Sequence, residues 1–402
     1  MAGPRVGRAG KCAVGLSAAA ILLTACTEET FQWTPADPAS QCFRPAALEA
    51  WVERLEGFGT QAMLLVRNDR LVLEWYAEGR EPHERHHAAS LSKSLVAGLA
   101  LALLIDEGRL GLDDLAARHV PAWRGDPVRS RITVRQLASH SSGLENAREG
   151  ARPKAELVGW KGAFWRRDSD RDPVRLALTE TPVVYPPGGG FAYSAPGYAA
   201  LSYVLTSALR DAPERDLRAL LRERILHPIG VPDSEWGISA RPPSEIDGMR
   251  VYAAWGGSAF SPRAMARLAR LMLRRGDWQG SQLIGAAAIE ATVRYAGTPA
   301  PDGWGPGPPP VQAAGWWSNA LGAWPRLPRD AFLGVGAFHQ LLLVVPSLDL
   351  IAIRLGKSLG FGAGELGFLR AVGPEFLDPL MKALQAPSVA CDPLVLGTEW
   401  PC

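Results

Sequence analysis

This chain of 402 residues has little net charge. Its 43 Lys and Arg residues against 41 Asp and Glu residues give a formal charge of only +2 at pH 7, and no segment concentrates the basic residues. A protein that binds nucleic acid carries a basic patch or stripe, so we predict no nucleic-acid partner. The sequence also gives no support for a nucleotide or redox cofactor, and none is predicted. These features do not indicate an oligomeric state.

The apolar stretch near the N-terminus lacks the length needed to span a bilayer. Ala13–Ala25 is apolar and small, whereas a spanning helix takes about 20 residues. Arg5, Arg8 and Lys11 precede this stretch and give it a basic start. A short apolar run behind a basic start is typical of a secretory signal peptide. We therefore predict that residues 1–25 are a signal peptide and that the rest is exported.

The predicted signal peptide ends in Leu23-Thr24-Ala25-Cys26, which resembles the bacterial lipoprotein box. By that resemblance, cleavage would precede Cys26 and its sulfur would carry lipid. The lipid would anchor a soluble domain at the cell envelope, in the periplasm or at the outer membrane. Residues 26–41 would then be a tether. The alternative is ordinary signal-peptidase cleavage with Cys26 unmodified.

Cysteine is sparse, with five residues in the whole chain. Cys12 lies in the predicted signal peptide and Cys26 is the predicted lipid site, which leaves Cys42, Cys391 and Cys402. An oxidising compartment favours disulfide bonds, but three cysteines allow three pairings and the sequence does not choose among them. All three lie outside the chemical motifs, so we interpret them as staples at the chain ends.

Strand-like segments cluster near both ends of the chain. Ala62–Val66 and Leu71–Tyr76 are joined by Arg67–Arg70, which indicates a hairpin. Near the C-terminus, Gln340–Val345 and Leu348–Leu355 are two apolar runs linked by a Pro-Ser turn. Hairpins of this kind predict an antiparallel sheet.

Helical segments flank and separate these strands. Leu48–Leu55 has apolar residues at helical spacing, and Leu91–Ile105 is apolar nearly all round, which predicts a buried helix. A last helical stretch runs from about residue 365 to 384. Residues 110–320 are rich in short helices and in Pro and Gly turns. We therefore predict an α+β fold whose sheet is covered by terminal helices and interrupted in sequence by a mainly helical region.

Ser90 and Lys93 open the predicted buried helix. Their spacing of three residues puts both side chains on one helical face, and a serine needs an adjacent base to become a nucleophile. Lys93 can be that base only if its pKa falls by about 3 units from its usual value near 10.4. Desolvation can lower a lysine pKa by about 3–5 units, and Leu95, Val96 and Leu99 supply apolar surroundings. A helix-capping serine gives the same spacing by chance, so the motif needs support from other segments.

Further segments accompany this motif in a definite order. They are Ala89–Ser94, Ile132–Leu137, Ser139–Leu144, Tyr185–Gly188, Phe191–Tyr198, Arg224–Val231 and Gly256–Phe260. Together they resemble the class C β-lactamase-like serine hydrolases, which include DD-peptidases, esterases and amide hydrolases. The resemblance runs from about residue 60 to 385. It implies a β-lactamase/transpeptidase-like fold of the α/β (α+β) class. The implied parts are a hydrolase domain of residues 42–388, with a sheet subdomain from about 42–107 and 245–388 and a helical subdomain from about 108–244, and a tail of residues 389–402.

The resemblance also implies the roles of the site residues. Tyr193 matches the tyrosine of the family's Tyr-x-Asn motif, and its phenol or phenolate beside Lys93 would relay the Ser90 proton and later protonate the leaving group. The family's third motif, a Lys-Thr-Gly or His-x-Gly strand, falls at Gly334-Val335-Gly336. The Ala337 N–H would complete an oxyanion hole with the N–H of Ser90. One such donor is typically worth about 10²–10³ in turnover.

Two departures from the family pattern bear on the substrate. Ala195 replaces the family's Asn, and the third motif opens with neither Lys nor His, so it offers no cation for a substrate carboxylate. Penicillins and peptidoglycan stems present such a carboxylate. We therefore expect a small-molecule ester or amide, with DD-peptidase or β-lactamase activity as an alternative. The predicted substrate-binding residues are Ala195, Gly334, Val335 and Gly336. Four tryptophans are candidates for an apolar acyl pocket or, equally, for core packing: Trp160, Trp165, Trp316 and Trp317.

Three other interpretations are open. Ser358 lies in Gly356–Gly360, which fits a nucleophile elbow, but an α/β-hydrolase needs a later histidine and none follows; a turn is favoured. His83–His87 spells the His-Glu-x-x-His zinc pattern, which requires a helix and a third ligand. Pro82 and the lack of an apolar face favour a solvated loop or strand, so no metal is predicted. A lipid-anchored binding protein on a degenerate hydrolase fold is the non-enzyme alternative.

Overall fold

The computed structural model describes residues 31–150, 152–166, 171–239, 241–301, 304, 307–360 and 366–385. The strands, numbered in chain order, are β1 (Thr34–Pro35), β2 (Thr60–Arg67), β3 (Arg70–Tyr76), β4 (His86–Ala89), β5 (Trp236–Gly237), β6 (Ser244–Ile246), β7 (Met249–Val251), β8 (Ser258–Phe260), β9 (Asp277–Trp278), β10 (Ser281–Gln282), β11 (Val311–Gln312), β12 (Trp317–Ser318), β13 (Phe332–Gly336), β14 (Gln340–Val345) and β15 (Leu350–Gly356).

The α-helices are α1 (Pro45–Gly57), α2 (Leu99–Asp106), α3 (Val134–Ala138), α4 (Gly159–Trp165), α5 (Pro173–Thr179), α6 (Ala195–Ser207), α7 (Leu217–Leu221), α8 (Pro262–Leu273), α9 (Ala286–Val293), α10 (Gly367–Arg370) and α11 (Asp378–Ala383). Within the residues that the structure describes, three π-helical segments accompany them: Lys93–Gly98, Arg222–Leu226 and Gly373–Leu377. Short 3₁₀ turns lie at Pro38–Gln41, Ala116–Arg118, Pro121–Trp123, Arg129–Arg131, Lys154–Glu156, Asp233–Glu235 and Pro346–Leu348. No helix in the described ranges combines the length and apolar character that a bilayer crossing requires.

The main sheet of the described chain has eight strands in the order β1-β3-β2-β15-β14-β13-β12-β11. Every neighbouring pair is antiparallel except β1 and β3. The N-terminal and C-terminal strands therefore join at the β2–β15 pair in the middle of the sheet. The predicted antiparallel sheet, built from both ends of the chain, is confirmed.

The β2–β3 hairpin follows directly from its turn residues. Arg67 pairs with Arg70, so only Asn68 and Asp69 form the turn. Both turn residues have positive φ, 50° and 58°. A two-residue hairpin turn of this kind matches the twist of the strands and favours Asn and Asp.

Helices cover both faces of the sheet, which explains why β14 and β15 are almost wholly buried. Alternate strand residues point to opposite faces. Leu65 and Leu343 pack in one cluster with Trp51 of α1 and Phe376 of the C-terminal helical segment. The indole N–H of Trp51 donates to the Phe376 carbonyl at 3.0 Å. Helix α8 packs against β2, β14 and β15.

The predicted elements differ from the structure where proline or a turn intervenes. The strand predicted from Leu348 begins at Leu350, because Asp349 adopts φ 44° at the end of a 3₁₀ turn. The last helical stretch is divided into α10, a π-helical segment and α11. Pro374 and Pro379 lie inside it, and each removes a backbone donor from the helical ladder. The helix predicted over Leu91–Ile105 opens with a π-helical segment and continues as α2.

The middle of the chain brings helices to the start of that buried helix. Helix α6 is buried along nearly its whole length and packs against α3, α5 and the Lys93–Gly98 segment. Ser194 caps α6, its Oγ accepting from the Gly197 N–H at 2.9 Å. Strand β4 pairs with β8 in a smaller sheet. Cys42 is in a disulfide bond; the other cysteines, including Cys26, lie outside the described residues.

Two Arg–Asp pairs fix α8 to the turns at one end of the sheet. Arg270 Nε donates to Asp69 of the β2–β3 turn at 2.7 Å. Arg274 contacts Asp349 of the β14–β15 turn through both of its terminal nitrogens, at 2.8 Å and 2.9 Å. The Asp349 side chain is only 4% exposed. Removing Asp349 would leave the buried Arg274 charge with only its 3.9 Å contact to Asp69, and a buried charge that loses its partner is costly.

We predict that Asp349→Asn lowers the free energy of unfolding by about 3 kcal/mol, measured by urea denaturation. The control is Asp113→Asn, because Asp113 pairs with Arg135 but its side chain is 78% exposed. An exposed pair contributes about 0–1 kcal/mol. Equal losses in the two variants would contradict the anchoring role of Asp349.

Candidate active site

Ser90 lies in a tight turn between β4 and the buried helix. Ala89, the preceding residue, has φ 49°, a left-handed conformation that is strained for a residue with a Cβ. Ser92 Oγ donates to the Ala89 carbonyl at 2.6 Å and accepts from the Ser258 N–H at 3.1 Å. The turn is therefore held from inside by Ser92 and from β8 by Ser258.

The Lys93 amine is buried beside Ser90. Its Nζ lies 3.3 Å from Ser90 Oγ and donates to the Trp255 carbonyl at 2.7 Å. Burial lowers the pKa of Lys93 to about 7, and the positive charge of Lys154 adds to the shift. An amine with this pKa is substantially neutral at pH 7 and has a lone pair that can accept a proton.

Tyr193 joins this pair from the segment that precedes α6. Its hydroxyl is hydrogen-bonded to Ser90, and burial raises its pKa to about 12. The Lys93 Nζ lies 4.9 Å from the centre of the Tyr193 ring. At neutral pH Tyr193 is therefore a phenol, so the structure favours the phenol over the phenolate of the two forms expected from the sequence.

His140 holds Tyr193 in place, a role that the sequence did not assign. Its ring lies 4.3 Å from the Tyr193 ring and 4.8 Å from the Tyr198 ring. Its Nδ1 accepts from the Ser194 N–H at 3.0 Å. Burial, and then the charge of Lys93, lower the His140 pKa well below its usual value, so the ring is neutral. His140 lies in the Ser139–Leu144 segment, which resembles the family, but the resemblance assigned no role to this histidine.

Gly334, Val335 and Gly336 lie on β13, close to the Ser90 turn. Strand β12 pairs with β13 only at Phe332 and Leu333, so the next three residues of β13 extend past the end of β12. A Cβ on Gly334 would stand 2.2 Å from a Leu91 methyl carbon, and one on Gly336 would stand 2.3 Å from the Ala88 carbonyl oxygen. The glycines therefore allow β13 to approach the Ser90 turn. By the resemblance, Gly334 stands where the family's motif has Lys or His.

Ala337 begins the hairpin turn between β13 and β14, and a buried arginine fixes that turn. Phe338 and His339 both have positive φ, 63° and 56°. Arg354 Nη1 donates to both of their carbonyl oxygens at 3.0 Å. Gln340 Nε2 donates to the carbonyl of Gly356 at 2.7 Å. The orientation of the turn, and with it of the predicted oxyanion donor, thus depends on side chains of β14 and β15.

Ala195 is buried at the start of α6, and an amide from another segment lies against it. Asn146 Oδ1 accepts from the Ala195 N–H at 3.5 Å. The neighbouring Ser194 Oγ donates to the Glu145 carbonyl at 3.2 Å. The family's Asn is missing at residue 195, but the 145–147 segment brings an amide side chain to that place. Nothing in the sequence spacing connects the two positions.

The cavity beside Ser90 is small, about 10 Å³ in volume, and its walls include Lys93, Tyr193, Trp317 and Val335. This is about the space of one water molecule. Of the four candidate tryptophans, Trp317 lines this cavity. Trp316 is fully buried and packs on Phe332.

Ser358 and the zinc pattern lie outside this cluster. Ser358 follows β15 in a non-helical segment, and His339 Nδ1 lies 3.3 Å from its Oγ while accepting from the Leu359 N–H at 3.1 Å. His86 is on strand β4, and His83 Nδ1 contacts the Glu235 carboxylate at 2.7 Å. In the described ranges no group of three or more His, Cys, Asp or Glu side chains could hold a metal ion.

Known proteins share both the sequence pattern and the architecture. A family model described as Beta-lactamase matches residues 48–367. The 6-aminohexanoate-dimer hydrolase of Paenarthrobacter ureafaciens is 26% identical over 336 residues, 80% of each chain. Esterase EstB of Burkholderia gladioli is 32% identical over 158 residues, 38% of each chain.

Among solved structures, EstCE1, a hydrolase with promiscuous acyltransferase activity, has a TM-score of 0.61 at 18% identity, covering 85% of this chain and 100% of the other. A family VIII carboxylesterase has a TM-score of 0.59 at 17% identity, covering 86% and 99%. The predicted β-lactamase/transpeptidase-like fold is confirmed.

We predict that Gly336→Ala lowers the free energy of unfolding by about 1–3 kcal/mol, because the new methyl group would force β13 away from the Ala88 carbonyl. The measurement is urea denaturation. Gly57→Ala is the matched control, since a Cβ there meets no atom within 4 Å, and alanine in a helix is expected to stabilise by about 0.5–1 kcal/mol. An unchanged stability in Gly336→Ala would mean that the strand can withdraw freely.

Proposed function

This chain belongs to the beta-lactamase family of serine hydrolases, and we propose that it hydrolyses an ester or amide through an acyl-enzyme formed on Ser90. The observation that carries the proposal is the contact of Ser90 Oγ with two groups of suitable protonation state. The Lys93 amine lies 3.3 Å away with a pKa of about 7, and the Tyr193 phenol is hydrogen-bonded to the same oxygen. A nucleophile with an adjacent base is the arrangement that acyl transfer requires.

In acylation, the Ser90 proton passes to Lys93, and Ser90 Oγ bonds to the substrate carbonyl carbon. The N–H groups of Ser90 and Ala337 stabilise the oxyanion of the tetrahedral intermediate. Tyr193 donates its proton to the leaving alkoxide or amine and regains one from Lys93, while the C–O or C–N bond breaks. In deacylation, water gives a proton to the Lys93–Tyr193 pair and attacks the acyl carbon. Ser90 leaves with that proton, and a carboxylic acid is released.

An ester or amide substrate fits this site better than a penicillin or a D-Ala-D-Ala peptide. Gly334 stands where the resemblance puts the family's Lys or His, and glycine has no side chain to carry a charge, so β13 supplies no cation at that position for a substrate carboxylate. The relatives named above are an amide hydrolase and esterases, which supports the same choice. β-Lactamase or DD-peptidase activity is the second candidate. A panel of p-nitrophenyl esters of graded acyl length, 6-aminohexanoate dimer, nitrocefin and a D-Ala-D-Ala peptide separates these substrates.

The proposed place of action is the bacterial cell envelope. The basic start, the short apolar run and the Leu-Thr-Ala-Cys sequence ending at Cys26 support export and lipid attachment. Metabolic labelling with an alkyne fatty acid tests this: Cys26→Ala is expected to lose the label and to leave the membrane fraction. Labelling that persists in Cys26→Ala would contradict the proposal.

We predict that an active-site fluorophosphonate probe labels the folded protein at Ser90. Ser90→Ala is expected to lose the label, because the hydroxyl that lies 3.3 Å from the Lys93 amine is gone. Ser358→Ala is the matched control and is expected to keep it, since His339 Nδ1 already accepts from the Leu359 N–H. In-gel fluorescence is the measurement. No labelling of folded wild-type protein would favour the binding-protein alternative.

We predict that kcat/KM for a p-nitrophenyl ester rises with pH through about 7. The base must be neutral, and the folded-state pKa of Lys93 is about 7, so activity is expected to fall about tenfold per pH unit below that value.

Lys93→Arg keeps the charge but stays protonated, and is expected to lose about 10²–10⁴-fold in kcat/KM. A flat profile between pH 5 and 9, or an active Lys93→Arg variant, would remove Lys93 from the base role.

We predict that Tyr193→Phe lowers kcat/KM about 10²–10⁴-fold with little change in Tm, because the ring contacts with His140 and Trp317 remain while the proton donor is lost. Tyr203→Phe on α6 is the control, since its hydroxyl bonds Asp247 and it is expected to keep full activity. Steady-state kinetics and thermal denaturation give the two readouts. A Tyr193→Phe variant that loses its fold would indicate a packing role instead.

A further inference from the structure

A buried amide that the proposed mechanism does not use lies beside the reacting groups. Gln312 of β11 is 3% exposed and forms part of the wall of the cavity beside Ser90. Its backbone carbonyl accepts from the Ala296 N–H at 3.0 Å. Among the residues that the structure describes, none is hydrogen-bonded to the side-chain amide of Gln312. One acceptor and two donor hydrogens of this amide are therefore left for a bound molecule.

The other polar side chains of this wall already take part in hydrogen bonds. Ser94 Oγ donates to the Gly315 carbonyl at 2.6 Å, and the Tyr198 hydroxyl donates to the Ala138 carbonyl at 2.5 Å. The ring of His140 accepts from a backbone N–H at 3.0 Å. The proposed nucleophile is hydrogen-bonded to the proposed base and to the proposed acid. Within the wall as described, the amide of Gln312 differs from all of these groups.

The stability of the fold gives no reason for a glutamine at this position. Burial of an amide opposes folding when its hydrogen bonds to water are lost and not replaced. An apolar side chain of the same length would avoid that cost. A hydrogen-bonding group that enters the cavity with a substrate would also remove it.

Strand pairing fixes Gln312 close to the reacting groups. Gln312 lies directly opposite Trp317 in the β11–β12 ladder, and directly opposite side chains share one face of a sheet. Trp317 lines the same cavity, and its ring is parallel to the Tyr193 ring with centres 6.4 Å apart. The bond from Ser94 to Gly315 fixes the turn of this hairpin to the buried helix. Gln312 therefore stands next to the side chain that stacks on Tyr193.

The size of the cavity limits what Gln312 can contact. Its volume of about 10 Å³ is about the space of one water molecule, so only the few atoms around the scissile bond can enter it. The carbonyl oxygen among them is bound by the proposed oxyanion donors. The other polar atom on the carbonyl carbon is an oxygen in an ester and an N–H in a secondary amide. Of these two, the N–H is a donor, and the side-chain oxygen of Gln312 can accept from it.

We propose that Gln312 accepts a hydrogen bond from the N–H of the scissile amide and thereby selects secondary amides over esters. The proposal rests on the acyl-hydrolase function proposed above and narrows its substrate class to secondary amides. The bond would hold the amide nitrogen beside Tyr193, the proposed proton donor to the leaving amine. An ester would leave the Gln312 oxygen unpaired, and a site that binds a substrate N–H discriminates against the analogue that lacks it.

The test compares an amide and an ester that differ only at the leaving atom. N-(4-Nitrophenyl)butanamide has an N–H where 4-nitrophenyl butanoate has an oxygen. Gln312→Met keeps the length of the side chain but offers only a weak acceptor. It is expected to lower kcat/KM for the amide about 10- to 100-fold and to leave kcat/KM for the ester unchanged. Equal effects on the two substrates, or a wild-type enzyme that hydrolyses the ester but not the amide, would overturn the proposal.

Stability separates this role from a packing role. Gln312→Met is expected to keep or raise the Tm, because a buried amide without a protein partner is removed. Gln61→Met on β2 is the matched control, since it makes the same replacement outside the wall of the cavity and is expected to change neither substrate. A lower Tm with equal losses for both substrates would indicate that Gln312 serves packing, which would overturn the proposal.

A binding measurement keeps failure of the amide contact distinct from failure of the hydrolase function. N-Ethylbutanamide and ethyl butanoate are the matched probes, and Ser90→Ala prevents their hydrolysis. The amide is expected to raise the Tm of Ser90→Ala more than the ester does, and this difference is expected to disappear when Gln312→Met is added. Wild-type Ser90 that the fluorophosphonate does not label, together with amide binding that needs Gln312, would overturn the hydrolase and retain the contact. Labelled Ser90, together with equal stabilisation by both probes or by neither, would overturn the contact and retain the hydrolase.

Discussion

The burial of one amine is the constraint on which the rest of the site depends. A lysine in water keeps its proton at neutral pH, and only desolvation on the scale found inside a protein brings its pKa near 7. The first turn of the buried helix provides that environment for Lys93, and the Trp255 carbonyl satisfies one of its N–H groups. The remaining lone pair is then available toward Ser90. Burial also keeps Tyr193 protonated, so one environment produces both the proposed base and the proposed acid.

The surrounding fold fixes the positions of the side chains around this small space. Strand β13 approaches the Ser90 turn closely because glycines occupy the two facing positions. His140 packs on Tyr193 as a neutral ring, and a cation there would oppose the charge that Lys93 acquires in the proposed mechanism. Arg354 fixes the turn that carries Ala337. Each of these contacts acts on the position or charge of a group that the proposed mechanism uses.

Much of this architecture could be predicted from local patterns. The β2–β3 hairpin, the strands near residues 340–355 and the apolar helix after Ser90 depend on periodicity and turn residues that are adjacent in sequence. The approach of Asn146 to Ala195, and of Arg354 to the Phe338 turn, could not be predicted, because these contacts join segments whose spacing has no chemical meaning until the chain folds. The division of the C-terminal helix could in principle be predicted from Pro374 and Pro379, because proline interrupts a helix. The π-helical form of Lys93–Gly98 has no signal in the sequence that we can identify.

Ala89 illustrates how a turn that carries a proposed nucleophile can conflict with the stability of its own fold. Its left-handed backbone costs about 1–2 kcal/mol relative to an ordinary conformation, and glycine would relieve that cost. Glycine would also widen the range of backbone angles available just before Ser90, the proposed nucleophile. Selection for stability therefore favours glycine at this position, whereas selection for a fixed orientation of Ser90 favours alanine. A search for stabilising substitutions that selected only for a higher Tm would therefore favour glycine at residue 89, although glycine would fix the position of Ser90 less firmly.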